Sequence, residues 1–97
     1  MVDSNSSPLE RRQAVFSGNV QGVGFRDATR QLAQNYAVAG FVRNVPDGRV
    51  ELVAEGAPTE LTRFLAAVRE RLADYIRHAA VDARPGNGEF TDFEIRH

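Results

Sequence analysis

The chain has no cysteine, no tryptophan and no lysine. Without cysteine there is no disulfide, no thiol nucleophile and no thiolate metal site, and the redox compartment leaves no mark on the sequence. Every one of the twelve basic residues is an arginine, so neither Schiff-base chemistry nor the lysine of a P-loop is available. The two histidines, His78 and His97, are far apart in sequence. Either could act singly in catalysis, but no metal site and no acid–base pair is expected of them. No apolar run reaches the length of a membrane span or a signal-peptide core, so a cytoplasmic protein without membrane contact is expected. A net charge of −1 provides no field to draw nucleic acid or an anionic surface. At 97 residues, with 42% apolar and 26% charged side chains, the chain should fold as one globular domain around one core.

Against these absences stands one concentrated feature, Gly18-Asn19-Val20-Gln21-Gly22-Val23-Gly24-Phe25-Arg26. Three glycines fall in seven residues, between an apolar run and a helical pattern. Glycine permits positive φ and lets a ligand approach the backbone closely. A tight turn feeding a helix presents free N–H groups at the positive end of the helix dipole, which suits an anion. Arg26 falls in the first turn, where a cation opposes that dipole and gains from an anionic partner. The loop lacks Gly-Lys-Ser/Thr and the third glycine of a dinucleotide fingerprint, which excludes both of those phosphate loops. Loop chemistry alone leaves two readings open, an anion cradle with an arginine clamp and a purely structural turn.

Periodicity lays out the rest. Residues 1–10 are polar and unpatterned and are expected to be a disordered lead-in, with the domain covering 11–97. Within the lead-in, Asn5-Ser6-Ser7 is a chance glycosylation match in the absence of a signal peptide. Arg11 to Gly18 reads as a strand with Ala14 and Phe16 on one face. Phe25, Ala28, Thr29, Leu32 and Tyr36 form one helical stripe. Val38 to Val45 and Arg49 to Glu55 read as a hairpin around Pro46-Asp47-Gly48, with Val50, Leu52 and Ala54 facing the core. Pro58 opens a second helix, whose stripe is Leu61, Phe64, Leu65, Val68 and Leu72. A weaker strand spans Ile76 to Ala83, and after a Pro85-Gly86-Asn87-Gly88 loop a short strand spans Phe90 to Arg96. The order βαββαβ with a short C-terminal strand predicts an α+β fold, a ferredoxin-like split βαβ sandwich. In it two helices cover one face of a mostly antiparallel sheet.

In that topology the first two strands run parallel and end at the same edge, one carrying the glycine loop and the other Asn44. The third strand lies between them, so the two ends are about 10 Å apart. A phosphoryl group in the loop, with a water beyond it, would bridge that gap. Loop N–H groups and the Arg26 fork can hold phosphoryl oxygens, and the Asn44 side-chain oxygen can accept from a water. Taken alone, Asn44 reads as a cap of the following turn, and only its pairing with the glycine loop favours the water-orienting role; Asp47 reads as a turn residue before a general base.

The strings Val20-Gln21-Gly22-Val23-Gly24-Phe25-Arg26, Gly40-Phe41-Val42-Arg43-Asn44 and Asp47-Gly48-x-Val50-Glu51 together resemble the acylphosphatase family. The likeness runs from about Ala14 to the C-terminus. Asn19, Ala37 and Phe41 depart from the usual pattern without touching the catalytic positions. The resemblance implies metal-free hydrolysis of the carboxyl–phosphate anhydride of small acyl phosphates, with inorganic phosphate as product and no cofactor or metal. It implies a phosphate site at Asn19, Val20, Gln21, Gly22, Val23, Gly24, Phe25 and Arg26. Arg26 would be the phosphate-binding catalytic residue and Asn44 the one that orients water. A monomer is expected. The alternative is a non-catalytic anion-binding or regulatory module of the same family. An RNA-binding reading, prompted by Gly40-Phe41-Val42, lacks the stacking aromatics and basic surface it needs.

Overall fold

A computed structural model describes residues 9–97. Five strands and two helices follow in order: β1 (Glu10–Gly18), α1 (Phe25–Ala33), β2 (Val38–Asn44), β3 (Val50–Gly56), α2 (Pro58–Arg71), β4 (Ile76–Pro85) and β5 (Phe93–Arg96). They form one sheet of order β4-β1-β3-β2-β5. All neighbours are antiparallel except β2 and β5. The ferredoxin-like α+β arrangement read from the sequence is the one observed. Of the expected lead-in over 1–10, residues 1–8, with the sequon, lie outside the described residues, and Glu10 already belongs to β1. No helix among the described residues is long and apolar enough to cross a membrane.

The core lies between the helices and one sheet face. Ala14, Phe16, Val42, Val50, Leu52 and Ala54 supply the sheet side, and Phe25, Ala28, Leu61, Phe64, Leu65 and Val68 the helix side, all buried. Burying each large apolar side chain contributes roughly 1.5–3 kcal/mol, and this term holds the layers together. The hairpin turn closes as expected. Val45 O accepts from Gly48 N at 3.0 Å, and Gly48 takes φ 98°. The Asp47 side chain accepts from Arg49 N at 3.2 Å, a turn role.

Three sequence readings shift. Tyr36 keeps the phase of the α1 stripe but lies beyond the helix, which ends at Ala33. There the amides of Gln34, Asn35 and Tyr36 turn to the carbonyls three residues back, tightening the last turn. Tyr36 still reaches the core, its ring centroid 5.8 Å from that of Phe64. Second, β3 is buried on both faces: Val53 and Glu55, expected on the solvent side, are 7% and 4% exposed. Third, β5 starts at Phe93, and Phe90 belongs to the connection before it.

The last two shifts share a cause. β4 and β5 occupy opposite edges of the sheet, so the connection between them must cross the helix-free face. Glu55 pins it there. Its carboxylate accepts from Arg11 (Nε 2.8 Å, Nη2 2.6 Å) and from the backbone amides of Asn87 (3.2 Å) and Gly88 (3.0 Å). Two successive N–H groups closing on one carboxylate form an anion-binding concavity. Burial pushes the Glu55 carboxyl up, but the Arg11 guanidinium and these amides outweigh it and hold it below the ordinary carboxylate range. Phe90 packs edge-on against Phe41 at 5.9 Å, and Arg96 lies 4.0 Å over the Phe41 ring. These aromatics on the sheet face are therefore already covered by the chain itself. β5 then runs beside β2, Arg43 level with Arg96, toward the end of the sheet that carries the glycine loop.

Candidate active site

At that end a cleft of about 260 Å³ is lined by Val20, Gly22, Gly24, Phe25, Arg26, Asp27, Asn44, Ile95 and His97. The glycine loop forms one wall. Gly22 and Gly24 take φ 78° and 79°, and a Cβ added at either would meet nothing within 4 Å. Their need for glycine is conformational, and the space over their amides is open. Gly24 caps α1, and its carbonyl accepts the first helical bond from Ala28 N at 3.0 Å. No backbone amide from Val20 to Asp27 donates to a protein acceptor among the described residues. Donors converging on open space at a helix N-terminus are the physical make-up of an anion site.

Arg26 projects into this space from the first turn of α1. Among the described residues the half-buried arginines are Arg11, Arg12 and Arg26. Arg11 and Arg12 are ion-paired, to Glu55 and Glu89 and to Glu10. Arg26 has no carboxylate partner among them. Its one side-chain hydrogen bond among the described residues is with His97, Nη1 to Nδ1 at 3.2 Å. A half-buried guanidinium without an ion pair among the described residues, beside unpartnered amides, leaves its donors ready for an anion.

Asn44 faces the loop from the end of β2, with β3 between. The turn after it is held by the Asp47 side chain and by Gln21, whose Nε2 donates to Val45 O (2.8 Å) and Arg49 O (2.9 Å). The Asn44 side chain takes no part in these bonds and lines the cleft. Asp47 is exposed and engaged by Arg49, which holds its carboxyl below the ordinary range and makes it a poor proton acceptor.

The other sequence candidates fall into two groups. Val20, Gly22, Gly24, Phe25 and Arg26 line the cleft with Asn44. Asn19 does not line it, and its amide is occupied by Tyr75 O at 2.9 Å. Gln21 straps the loop to the hairpin, and Val23 packs against the core. His78 sits opposite Ser17 at the sheet edge, away from the cleft. The cleft residues that the sequence did not place there are Asp27, Ile95 and His97, the last named only as a histidine that could act singly in catalysis. The last two arrive through the β2–β5 pairing, which no local pattern announces.

The sequence model of the acylphosphatase family matches residues 12–95. The chain belongs to the acylphosphatase family. It is 42% identical over 94 residues to an acylphosphatase of Marinobacter nauticus, with 92% of this chain and 98% of the relative covered. Identity to an acylphosphatase of Acaryochloris marina is 44% over 84 residues, covering 86% of this chain and 89% of the relative. The crystal structure of acylphosphatase from Bacillus subtilis superposes with a TM-score of 0.82 at 30% identity, covering 91% of this chain and 99% of that one. The matched region of this acylphosphatase family member spans both walls of the cleft.

Proposed function

We propose that this acylphosphatase hydrolyses small acyl phosphates at the cleft between the glycine loop and Asn44. The phosphoryl group sits on the amides around Gly22 to Arg26, with the Arg26 fork on two of its oxygens, and Asn44 orients the attacking water. The observation that carries the reading is the pairing of Arg26, without a carboxylate partner among the described residues, with a run of loop amides likewise unpartnered among them, across from a strand-end amide side chain.

The reaction needs few groups. Water attacks phosphorus, a new P–O bond forms, and the bond between phosphorus and the acyl oxygen breaks. The electron pair leaves with the carboxylate. One proton of the water remains on the phosphate and the other passes to solvent. A carboxylate leaves readily, so no strong general acid is required, and the work reduces to charge stabilisation and alignment. Preorganised N–H donors and one guanidinium supply the first. The Asn44 oxygen, accepting from the water, supplies the second.

The direct test is phosphate release from a small acyl phosphate in excess chelator. Phosphoryl charge is met here by amides and a guanidinium, so activity should persist. Loss of activity that added Mg²⁺ restores would overturn the metal-free mechanism.

A further inference from the structure

We propose that His97 is a positioning residue for Arg26, its neutral imidazole accepting a hydrogen bond from one arm of the guanidinium and keeping the fork turned into the cleft. This rests on the reading of Arg26 as the phosphate-binding group.

The direction of the bond follows from the partners. A guanidinium has N–H donors and no acceptor, so the 3.2 Å contact between Arg26 Nη1 and His97 Nδ1 can run only from arginine to histidine. Nδ1 then carries the lone pair, and the imidazole proton sits on Nε2. A neutral acceptor suits this place better than a carboxylate. A carboxylate would cancel the guanidinium charge and compete with phosphate for the same fork. The imidazole restrains one arm and leaves the charge intact, with the remaining donors free for phosphoryl oxygens.

The fold delivers the two groups independently. Arg26 comes from the first turn of α1 and His97 from the residue after β5, the strand that packs beside α1. Along β5, Phe93 and Ile95 face the helices, with Phe93 5.6 Å from Phe64, and the period of two puts His97 on that same face. Parallel pairing of Arg43 with Arg96 brings His97 level with Asn44. Without His97, a long and flexible side chain would have to be ordered at each encounter with substrate, which weakens binding.

The test compares wild type with His97→Ala and His97→Asn, the latter placing an amide oxygen close to where Nδ1 stands. Readouts are kcat, KM, competitive inhibition by inorganic phosphate, and Tm. Loss of one charge-assisted bond at an exposed site should weaken phosphate binding and kcat/KM about fivefold to tenfold in His97→Ala, while His97→Asn stays within about twofold of wild type. Tm should not move in either, since the side chain is exposed. Wild-type phosphate affinity and kcat/KM in His97→Ala, or equal losses in the alanine and asparagine variants, would overturn the proposal while leaving the hydrolase reading in place. Failure of the wild type itself to release phosphate from an acyl phosphate would remove both.

Discussion

Replacing Glu55 by glutamine should unfold this protein far more readily than its change of a single atom suggests. The Glu55 side chain is almost fully buried, and both oxygens are used: Oε2 accepts from Arg11 and Asn87 N, and Oε1 accepts from Gly88 N. An amide has one acceptor oxygen and one donor group. In one orientation its NH2 confronts the Gly88 amide; in the other it confronts Arg11 and the Asn87 amide. Either way a donor meets a donor in a buried place, and the charge that faced Arg11 is gone. A lost charge-assisted bond plus one buried unsatisfied donor sums to roughly 3 kcal/mol, discounted because Arg11 retains some solvent contact and a second partner in Glu89. For a domain of this size that corresponds to a fall of about 15 °C in Tm. The carboxyl sits lower in the folded chain than in the unfolded one, so the native state binds fewer protons. Its stabilisation is fully present above the unfolded value, about 4.3, and fades as the pH falls through the lower folded value. The gap between wild type and Glu55→Gln should therefore be widest near neutrality and close in acid. Thermal unfolding of both proteins across pH measures this, with Glu94→Gln, an exposed ion pair, as a control that should barely move Tm. A Glu55→Gln variant less than about 1 kcal/mol weaker at neutral pH would refute the account of a buried carboxylate pinning the crossing segment.

At the cleft, Arg26→Lys should not rescue function, because lysine keeps the charge and loses the planar fork. Turnover should fall by about 10² or more, with phosphate inhibition weakened alongside it, and a fully active variant would show that charge alone suffices. Asn44→Ala should lower kcat and kcat/KM together by on the order of 10², with KM and phosphate affinity little changed. Normal turnover with lowered Tm would return Asn44 to a turn-capping role. Gln21→Ala removes the strap from loop to hairpin and should reduce stability by about 1–2 kcal/mol in denaturant unfolding; Gln21→Glu should be worse, since it sets a carboxylate against two carbonyl oxygens. The reverse order would show that the strap is not what holds the loop.

What the sequence reveals and what it conceals divide along the range of the interactions. The glycine loop, the Pro46-Asp47-Gly48 turn and the α2 stripe from Leu61 to Leu72 are settled by neighbours within a few residues, and they are legible. Arg26 and Asn44 come to one cleft through a βαβ crossover whose handedness is general, so their meeting could be argued from topology. The burial of Val53 and Glu55 could not, since alternation marks them as solvent-facing, and the partners of Glu55 lie more than thirty positions away. Tyr36 illustrates the opposite error: its phase is helical, yet the helix stops before it while the side chain still reaches the core. Ile95 and His97 are invisible as cleft residues for the same reason as Glu55, because a four-residue strand has no signal that names its partner.

The edge-to-edge crossing has a consequence for the order of assembly. Only β2 and β3 are joined by a short turn; Ala14 must find Leu52 and Val81, and Val42 must find Ile95. Such distant pairings require the chain to close long loops before any contact rewards it, which slows folding. β5 has the fewest residues to offer, and it can dock only after the segment before it has been laid over a sheet already formed. The strand that brings Ile95 and His97 to the cleft is thus the last to arrive. During refolding, recovery of phosphate-cleaving activity would trail the return of helical structure, and the enzyme's own turnover would time the final step of its folding.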